Sequence, residues 1–330
     1  MEALYKTTVQ ADCYDHRDHL FCDLHGENSS SYSHISCPVQ LKTKIAEHIH
    51  EKVDLRHLLN SPIINQGLLN SCSACALSVA AELYFVNENS SLLNTNAIHK
   101  DQLKQTAKSL NASPMFIYYH ERVLANEVDF NKPVFIRDGI KVLNKHGVCS
   151  EPLWPYPEMA YPSSIASVVK TGTFQDVQLE VAKVLKENAT EIHAAITEKP
   201  STKAIEQANQ YKIIRYCKLS VKDDLTELKL SLSKGIPFIF GMMVPKSFFL
   251  ITNNGVMTMP TKDEIRLGGH AMLAVGFDDE KEVFIVRNSY GDTFGDKGYC
   301  YIPYQFFLSS YNTTEGEVNN TFSYWCLSSL

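Results

Sequence analysis

Residues 64–85 read INQGLLNSCSACALSVAAELYF, and this stretch predicts the start of a long helix that carries two cysteines. Ser71 precedes a run of alanine, leucine and valine, and a small hydroxyl residue before such a run is typical of a helix N-terminus. Cys72 therefore falls in the first helical turn, and Cys75 lies one turn further on. Such a pair can be a redox couple, half of a zinc site, or a nucleophile with an unrelated neighbour.

The composition is that of an ordinary globular protein. The chain has 330 residues, of which 44% are hydrophobic and 21% are charged, and this suffices for one large domain or two smaller ones. The formal net charge of -6 provides no broad basic field for nucleic acid or for an anionic membrane surface. No apolar run reaches the ~18 residues that a spanning helix requires. We therefore expect neither nucleic acid nor a membrane as a partner.

The cysteine content and the N-terminus indicate a compartment. The N-terminus lacks the basic region followed by an apolar region that marks a secretory signal. Nine cysteines, an odd number spread over a long chain, are typical of reduced and mostly buried thiols. We expect a soluble protein in the cytoplasm or another intracellular compartment, or one associated with a virion.

Residues 1–49 differ in composition from the rest, because they are rich in His, Cys, Ser and Asp. We interpret them as an N-terminal extension and a candidate prosegment, followed by one domain over residues 50–330. A short helix is predicted near residues 41–52. Cysteine and histidine recur at every third position from Cys13 to His25, which is not a zinc-finger spacing, so a flexible tail is favoured over a metal site.

Beyond the extension, predicted helices precede predicted strands. Apolar periodicity predicts helices at residues 113–127, 136–148 and 174–196, and four prolines within residues 150–164 predict an extended surface connection. After residue 213, β-branched and aromatic runs separated by turns predict antiparallel strands. This order predicts an α+β fold, in which a helical subdomain lies beside a sheet or open barrel. The cleft between two such halves is a natural binding site.

Two distant residues complete a constellation around the cysteine. A cysteine nucleophile needs a lowered thiol pKa, which a helix N-terminus and a nearby imidazolium supply. His270, in LGGHAMLAVGFDD, is predicted at the start of a strand facing the cleft. Asn288 follows the next apolar strand, and its side-chain carbonyl can fix the imidazole tautomer. Redox and zinc interpretations of Cys72 and Cys75 lack a preceding βαβ frame and a second cysteine pair.

Three separated blocks resemble the papain-like cysteine peptidases: VDLRHLLNSPIINQG shortly before SC, then GGHAMLAVGF, then RNSYGDTFGDKGYCYIPY. They span residues 53–307 in the family's order, and intervening segments look like its compact bacterial and viral branch. The resemblance implies a helical left subdomain, an antiparallel sheet or open barrel on the right, and an active site in the cleft between them. It also implies thiol-dependent hydrolysis of polypeptide substrates through an acyl-enzyme, without metal or other cofactor. An insertion is implied around residues 165–210.

The resemblance also implies roles for individual residues. Cys72, His270 and Asn288 match the catalytic triad, and Gln66 is similar to the family's oxyanion-hole glutamine. Gly139, in RDGIK, resembles the glycine whose backbone pairs with the substrate chain. The substrate-binding set implied in this way consists of Asp138, Gly139, Gly269, Ala271 and Tyr290.

Several positions depart from the family's pattern. Leu69 stands at a disulfide cysteine, Ser73 stands where a tryptophan follows the nucleophile, and Tyr290 replaces the tryptophan of the asparagine loop. The differences at Ser73 and Tyr290 motivate one alternative, a catalytically silent papain-like binding protein. A papain-like acyltransferase is a second alternative, because an amine can replace water in the second step. The complete catalytic set favours the peptidase. The resemblance further predicts that the N-terminal segment binds in cis over the cleft.

Overall fold

The structure is a computed structural model, and it describes residues 12, 49–94, 110–221 and 224–328, without the side chains of residues 88–94. The cysteine and histidine run at residues 13–25 lies outside the described residues. The helix predicted near residues 41–52 lies mostly outside them as well. For residues 49–52, the part of that range which the structure describes, the helix prediction is wrong, because strand β1 (Lys52–Asp54) begins there.

The helical half is built on three helices that pack against one another: α1 (Cys72–Asn94), α2 (Pro114–Leu124) and α3 (Ile136–Lys145). At the start of α2, the Ser113 hydroxyl accepts a hydrogen bond from the Phe116 N–H at 3.2 Å, as a helix cap does. After α3, Gly147 has a φ of 74°, which favours glycine and ends the helix. The predicted helices at these three places are confirmed.

Four shorter helices follow: α4 (Ser163–Thr171), α5 (Phe174–Glu187), α6 (Ala189–Thr197) and α7 (Thr202–Ala208). The prediction of a single helix over residues 174–196 is wrong, because the helix is interrupted at Asn188. The Asn188 side chain donates to the Val184 carbonyl at 2.8 Å and so competes with the helical backbone. That residues 165–210 form an insertion stays a prediction.

The proline-rich connection is less exposed than predicted. Trp154 is buried. The Tyr156 hydroxyl contacts the Ser71 hydroxyl at 2.5 Å and donates to the Gln66 carbonyl at 3.0 Å. The Met159 carbonyl accepts from the Leu68 N–H at 2.9 Å. The segment therefore packs against the loop that precedes α1, because its aromatic side chains and carbonyls find partners there.

The strands that follow β1 are β2 (Tyr216–Lys218), β3 (Phe238–Pro245), β4 (Arg266–Asp278), β5 (Val283–Arg287), β6 (Tyr299–Pro303), β7 (Ser310–Thr313), β8 (Gly316–Asn319) and β9 (Thr321–Leu327). The main sheet is antiparallel in the order β2-β9-β3-β4-β5-β6, with β1 paired to the far end of β4, and β7 and β8 pair separately. Two helices accompany them, α8 (Thr226–Ser233) and α9 (Tyr304–Phe307). Within the described residues the sheet is open, with β2 and β6 at its edges, and the α+β prediction is confirmed.

Two strand predictions are corrected by this topology. β4 begins at Arg266, which pairs with Pro245 of β3, so His270 is the fifth residue of its strand and not the first. The β-branched and aromatic run GYCYIPYQFF, residues 298–307, predicts a strand over its whole length, but β6 ends at Pro303 and α9 begins after it. Strands β7, β8 and β9 were not predicted.

The two halves share one apolar core. Helix α1 packs against β4, and on the strands that flank β4 the rings of Phe238 and Phe284 meet edge to face at 5.5 Å. Apolar burial of this kind is the main favourable contribution to folding. Of the helices in the described ranges, none is both long enough and apolar enough to cross a bilayer.

Gly139 does not have the predicted substrate-pairing role. It lies inside α3, where its N–H points to the Phe135 carbonyl of the same helix at 3.4 Å. A helical backbone cannot form the ladder that an extended substrate strand requires. A Cβ atom at this position would lie 2.2 Å from Oε1 of Glu121 and 2.3 Å from Cδ1 of Leu77. Glycine is needed there because α1, α2 and α3 meet without room for a methyl group.

We predict that Gly139→Ala lowers the free energy of unfolding by about 1–3 kcal/mol, the usual cost of overpacking, although alanine is the better helix former. Urea denaturation measures the change. In a Leu77→Ala background the same substitution should cost less, because one of the two blocking groups is gone. A Gly139→Ala protein as stable as the wild type would contradict this packing.

Candidate active site

The start of α1 delivers Cys72 to the middle of strand β4. Cys72 is the first residue of the helix and is buried. The backbone N–H groups of Ala271, Ser73 and Cys72 itself lower the pKa of its thiol. The first turn of a helix has N–H groups without helical acceptors and the positive end of the dipole. The thiol therefore sits among donors, beside the residue that follows His270.

The imidazole of His270 is held in one orientation by Asn288. Nε2 of His270 and Oδ1 of Asn288 are 2.8 Å apart, and Oδ1 also accepts from the Ser289 N–H at 2.8 Å. An amide oxygen only accepts hydrogen bonds, so this network assigns the hydrogen of the neutral ring to Nε2. Nδ1 is then the nitrogen able to receive a proton.

An aromatic cluster covers the His270–Asn288 hydrogen bond. The ring of Tyr290 stacks on His270 with a centroid distance of 4.8 Å and an interplanar angle of 22°. On the other side Phe249 stacks on Tyr290 at 5.9 Å, and Phe294 meets the Tyr290 ring edge to face at 5.5 Å. His270 and Asn288 are each only 3% exposed. Tyrosine thus occupies the place where the resemblance led us to expect tryptophan.

Gln66 is anchored to the loop that carries Asn288. Its Oε1 accepts from the Ser289 hydroxyl at 2.6 Å, and its backbone N–H donates to the Ser289 carbonyl at 2.8 Å. Nε2 donates one hydrogen to the Leu69 carbonyl at 3.1 Å, which leaves the second amide hydrogen for another acceptor. A backbone bridge between Asn65 and Tyr290 continues this contact. The helical and sheet halves are therefore tied together next to the cysteine. The role of Ser289 was missed from the sequence.

Burial dominates the electrostatics of the cysteine and histidine. It raises the pKa of the Cys72 thiol to about 11, against the effect of the Ala271 N–H. It lowers the pKa of His270 to about 4, against the effect of the Asn288 hydrogen bond. Each group alone is therefore neutral at neutral pH. Moving the proton from the thiol to the imidazole charges both at once, and the attraction between the two charges offsets part of the desolvation cost.

Cys75 has a different environment from Cys72. It is buried one turn along α1, its sulfur is 3.7 Å from the Ser71 hydroxyl, and burial raises its thiol pKa. Across the described ranges, His, Cys, Asp and Glu side chains do not gather in groups of three or more that could hold a metal ion. Cys75 therefore belongs to the helix core.

The other predicted substrate-binding residues lie at two places. Gly269 and Ala271 flank His270 in β4, and their backbones pair with β3. Asp138 lies in the first turn of α3, where its carboxylate meets the Lys141 ammonium at 3.5 Å. Binding of substrate by these residues, and by Tyr290, stays a prediction.

A buried carboxyl group, that of Glu121, lies behind the cysteine. Glu121 is fully buried in α2, the Ser73 hydroxyl donates to its Oε2 at 3.4 Å, and its Oε1 has no hydrogen-bond partner in the described structure. Burial raises its pKa to about 8, the Ser73 hydrogen bond opposes this, and the charge of Asp138 adds to it. Sequence reasoning missed Glu121. The signal was a charged residue on the apolar face of α2, opposite a serine where tryptophan was expected.

Comparison with known proteins gives the class to which this fold and site belong. The family model described as papain family cysteine protease matches residues 49–314. The chain belongs to the papain family and is a cysteine-type peptidase.

Individual relatives agree with this family. An uncharacterized peptidase C1-like protein of Acanthamoeba polyphaga mimivirus is 30% identical over 278 residues, which cover 81% of this chain and 72% of the relative. The crystal structure of xylellain, a cysteine protease from Xylella fastidiosa, superposes with a TM-score of 0.65 at 26% identity and covers 99% of this chain and 97% of its own. Bromelain from Ananas comosus shares the fold with a TM-score of 0.50 at 15% identity, over 84% of this chain and 98% of its own.

We predict that Glu121→Gln removes a pH-dependent contribution to stability. The Glu121 carboxyl has a pKa of about 8 in the folded protein, against roughly 4.3 in an unfolded chain. The folded state therefore holds this proton more tightly than the unfolded chain does. The resulting contribution to the free energy of unfolding is complete below pH ~4.3, declines as the pH rises above that value, and is lost once the pH has passed 8. The stability of the wild type relative to the variant should fall by about 3–5 kcal/mol over that window.

Urea unfolding at several pH values measures this difference. Glu191→Gln, which changes an exposed glutamate of α6, is the matched control and should leave the wild-type pH dependence unaltered. Parallel stability curves for the wild type and Glu121→Gln would show that this carboxyl group is not protonated in the folded state.

Proposed function

We propose that the chain hydrolyses peptide bonds in polypeptide substrates with Cys72 as nucleophile, His270 as acid and base, and Asn288 as the group that orients His270. The observation that carries the proposal is the 2.8 Å hydrogen bond between His270 Nε2 and Asn288 Oδ1. It directs Nδ1 to the proton transfer, and the placement of the Cys72 thiol at a helix start beside Ala271 supports the same roles.

Acylation begins when the Cys72 thiol gives its proton to Nδ1 of His270. The thiolate sulfur attacks the substrate carbonyl carbon, and the electrons of the C=O bond move onto oxygen. When the tetrahedral intermediate collapses, the C–N bond breaks and the imidazolium gives its proton to the leaving amine. A thioester on Cys72 remains. Asn288 keeps Nε2 bonded throughout, so that His270 does not rotate between the two proton transfers.

Deacylation uses the same residues with water. His270 takes a proton from the water molecule, whose oxygen attacks the thioester carbon, and the C–S bond then breaks to release a carboxylic acid and regenerate the thiol. The remaining N–H of the Gln66 amide and the backbone N–H of Cys72 stabilise the oxyanion in both steps. Gln66 suits this role because Ser289 and Leu69 hold its amide in place.

We predict that Cys72→Ala lowers the turnover of a fluorogenic peptide by on the order of 10⁴-fold and leaves the circular dichroism spectrum unchanged. Alanine fits the helix start and removes only the nucleophile. Cys75→Ala should keep most of the activity, because that sulfur packs in the helix core.

Three further results would each contradict part of the proposal. Two folded but inactive variants would restore a joint role for the cysteine pair. A wild-type protein that an electrophilic peptide probe does not label would be a catalytically silent binding protein. Products that carry an added amine in place of water, detected by mass, would indicate an acyltransferase.

The N-terminal segment is the second part of the proposal, and Asp12 provides its support. The Asp12 carboxylate accepts from the Trp325 indole N–H at 2.6 Å, and the Asp12 backbone N–H donates to the Ser323 hydroxyl at 2.8 Å. Both partners lie on β9. The Arg137 guanidinium of α3 lies over the Trp325 ring at 5.7 Å and attracts the Asp12 carboxylate. Asp12 is thus anchored where the helical and sheet halves meet.

An anchor at the junction of the two halves suits a segment that covers the cleft between them. Tethering makes such a contact intramolecular and raises its effective concentration to roughly millimolar, so a weak contact is sufficient. We therefore propose that residues 1–49 bind in cis over the Cys72 site and depress the activity of the full chain.

We predict that Asp12→Ala raises the rate at which an electrophilic peptide labels Cys72 by about tenfold, since losing a charge-assisted hydrogen bond of roughly 1.5 kcal/mol changes an equilibrium by that factor. A chain that begins at Lys52 should be labelled at least as fast. Asp292→Asn, at an exposed loop position, is the control and should have no effect. Equal labelling rates in the wild type, the two variants and the shortened chain would show that the segment is no inhibitor. A shortened chain that fails to fold would show that the segment is part of the core.

A further inference from the structure

Two cysteines outside the active site lie opposite each other in the sheet. Cys217 is the central residue of the three-residue strand β2, and Cys326 is its direct partner in β9. Their sulfur atoms are 3.1 Å apart, and both side chains are fully buried. Among the described cysteines, no other pair has its sulfurs in hydrogen-bonding contact.

The backbone geometry at this position matches that of a disulfide. On either side, the Leu219 N–H donates to the Tyr324 carbonyl at 2.9 Å, and the Ser328 N–H donates to the Arg215 carbonyl at 3.1 Å. Directly opposed residues in such a ladder have Cα atoms about 4.5–5.5 Å apart, within the range of about 4.4–6.8 Å that a disulfide spans. An S–S bond is about 2.05 Å long, so the sulfurs need to approach by only about 1 Å.

The position of β2 gives an oxidant a route to the pair. Among the strands of the described residues, β2 is last in the sheet order and pairs with β9 alone, whereas β9 also pairs with β3. Detachment of β2 together with the flanking hydrogen bonds of Arg215 and Leu219 would expose both sulfurs and leave the pairing of β9 with β3 in place. Local openings of this kind need much less free energy than global unfolding.

We propose that Cys217 and Cys326 form a reversible disulfide that locks edge strand β2 onto β9 when the chain meets a peroxide. One thiolate attacks a peroxide oxygen, the O–O bond breaks, and a sulfenic acid forms with release of water. The second sulfur attacks the sulfenic sulfur, the S–O bond breaks, and a second water leaves as the S–S bond forms. The two sulfurs are oxidised by two electrons and the peroxide is reduced to two water molecules.

The bond would close a long loop that contains two active-site residues. Cys217 and Cys326 are 109 positions apart, and His270 and Asn288 lie between them. A crosslink over such a loop restricts the unfolded chain more than one over a short loop, so it stabilises the folded sheet half. Because the bond follows the existing strand pairing, it makes this half more stable without moving the catalytic groups.

The test uses the full chain carrying Cys72→Ala, so that self-digestion and oxidation of Cys72 do not interfere. The folded protein is treated with hydrogen peroxide, its remaining thiols are alkylated, and the peptides are mapped by mass. We expect a peptide pair joined through Cys217 and Cys326, lighter by two hydrogen atoms than the separate peptides. The melting temperature should rise by roughly 5 °C and return to its first value after reduction.

Matched variants separate this pair from the other buried thiols. The rise in melting temperature should disappear in Cys217→Ser and in Cys326→Ser, and persist in Cys300→Ala, whose cysteine is buried in β6. Peptide mapping of the unsubstituted pair gives an answer even when a serine variant fails to fold. Recovery of both cysteines as alkylated thiols after oxidation, or as disulfides with other cysteines, would overturn the proposal. So would a bond that forms only above the melting temperature.

Discussion

The contact between the first turn of α1 and the middle of β4 determines where Cys72 lies relative to His270. Through this contact the N–H of Ala271, next to His270 in the chain, lowers the pKa of the Cys72 thiol. Helix and strand come from opposite halves of the fold, so this contact requires a rigid connection between them. Ser289 supplies one, because it bonds both the side chain and the backbone of Gln66. The donors around the sulfur and the loop that orients the histidine are therefore parts of one hydrogen-bonded unit.

Two positions that depart from the family's pattern, Tyr290 and Ser73, each have a matching partner in the structure. Tyr290 keeps an aromatic ring over His270, and Phe249 and Phe294 pack around that ring. On the other side of the cysteine, Ser73 is small and polar, and the Glu121 carboxyl fills the space behind it. A buried carboxyl group is tolerable when it is protonated, and the pKa of Glu121 is raised to about 8 by burial, although the Arg122 charge opposes this. The site thus replaces apolar packing on that side with a neutral hydrogen-bonded acid.

Much of this arrangement could be predicted from short stretches of sequence. Ser71 before an apolar run predicts the helix start at Cys72, and the strand patterns around His270 and Asn288 depend only on their immediate neighbours. Glu121 could not be found in this way, because its partner Ser73 lies 48 positions away in the chain. Gly139 was misassigned for a related reason. Its role depends on Leu77 and Glu121, two residues from other helices that leave no room for a side chain.

Strand β9 shows how one element without a sequence signature can connect several features of the fold. Its aromatic and polar residues alternate imperfectly, so the sequence pattern predicts no clean strand. The structure adds an irregularity at Ser323, whose φ is 53°. In the structure the strand lies between β2 and β3, and Thr321 pairs with Met242, the residue opposite His270. Neighbouring positions on the same strand anchor Asp12 and place Cys326 against Cys217. Any change in the order of β9 therefore acts both on the Asp12 anchor and on β3, the strand that neighbours His270.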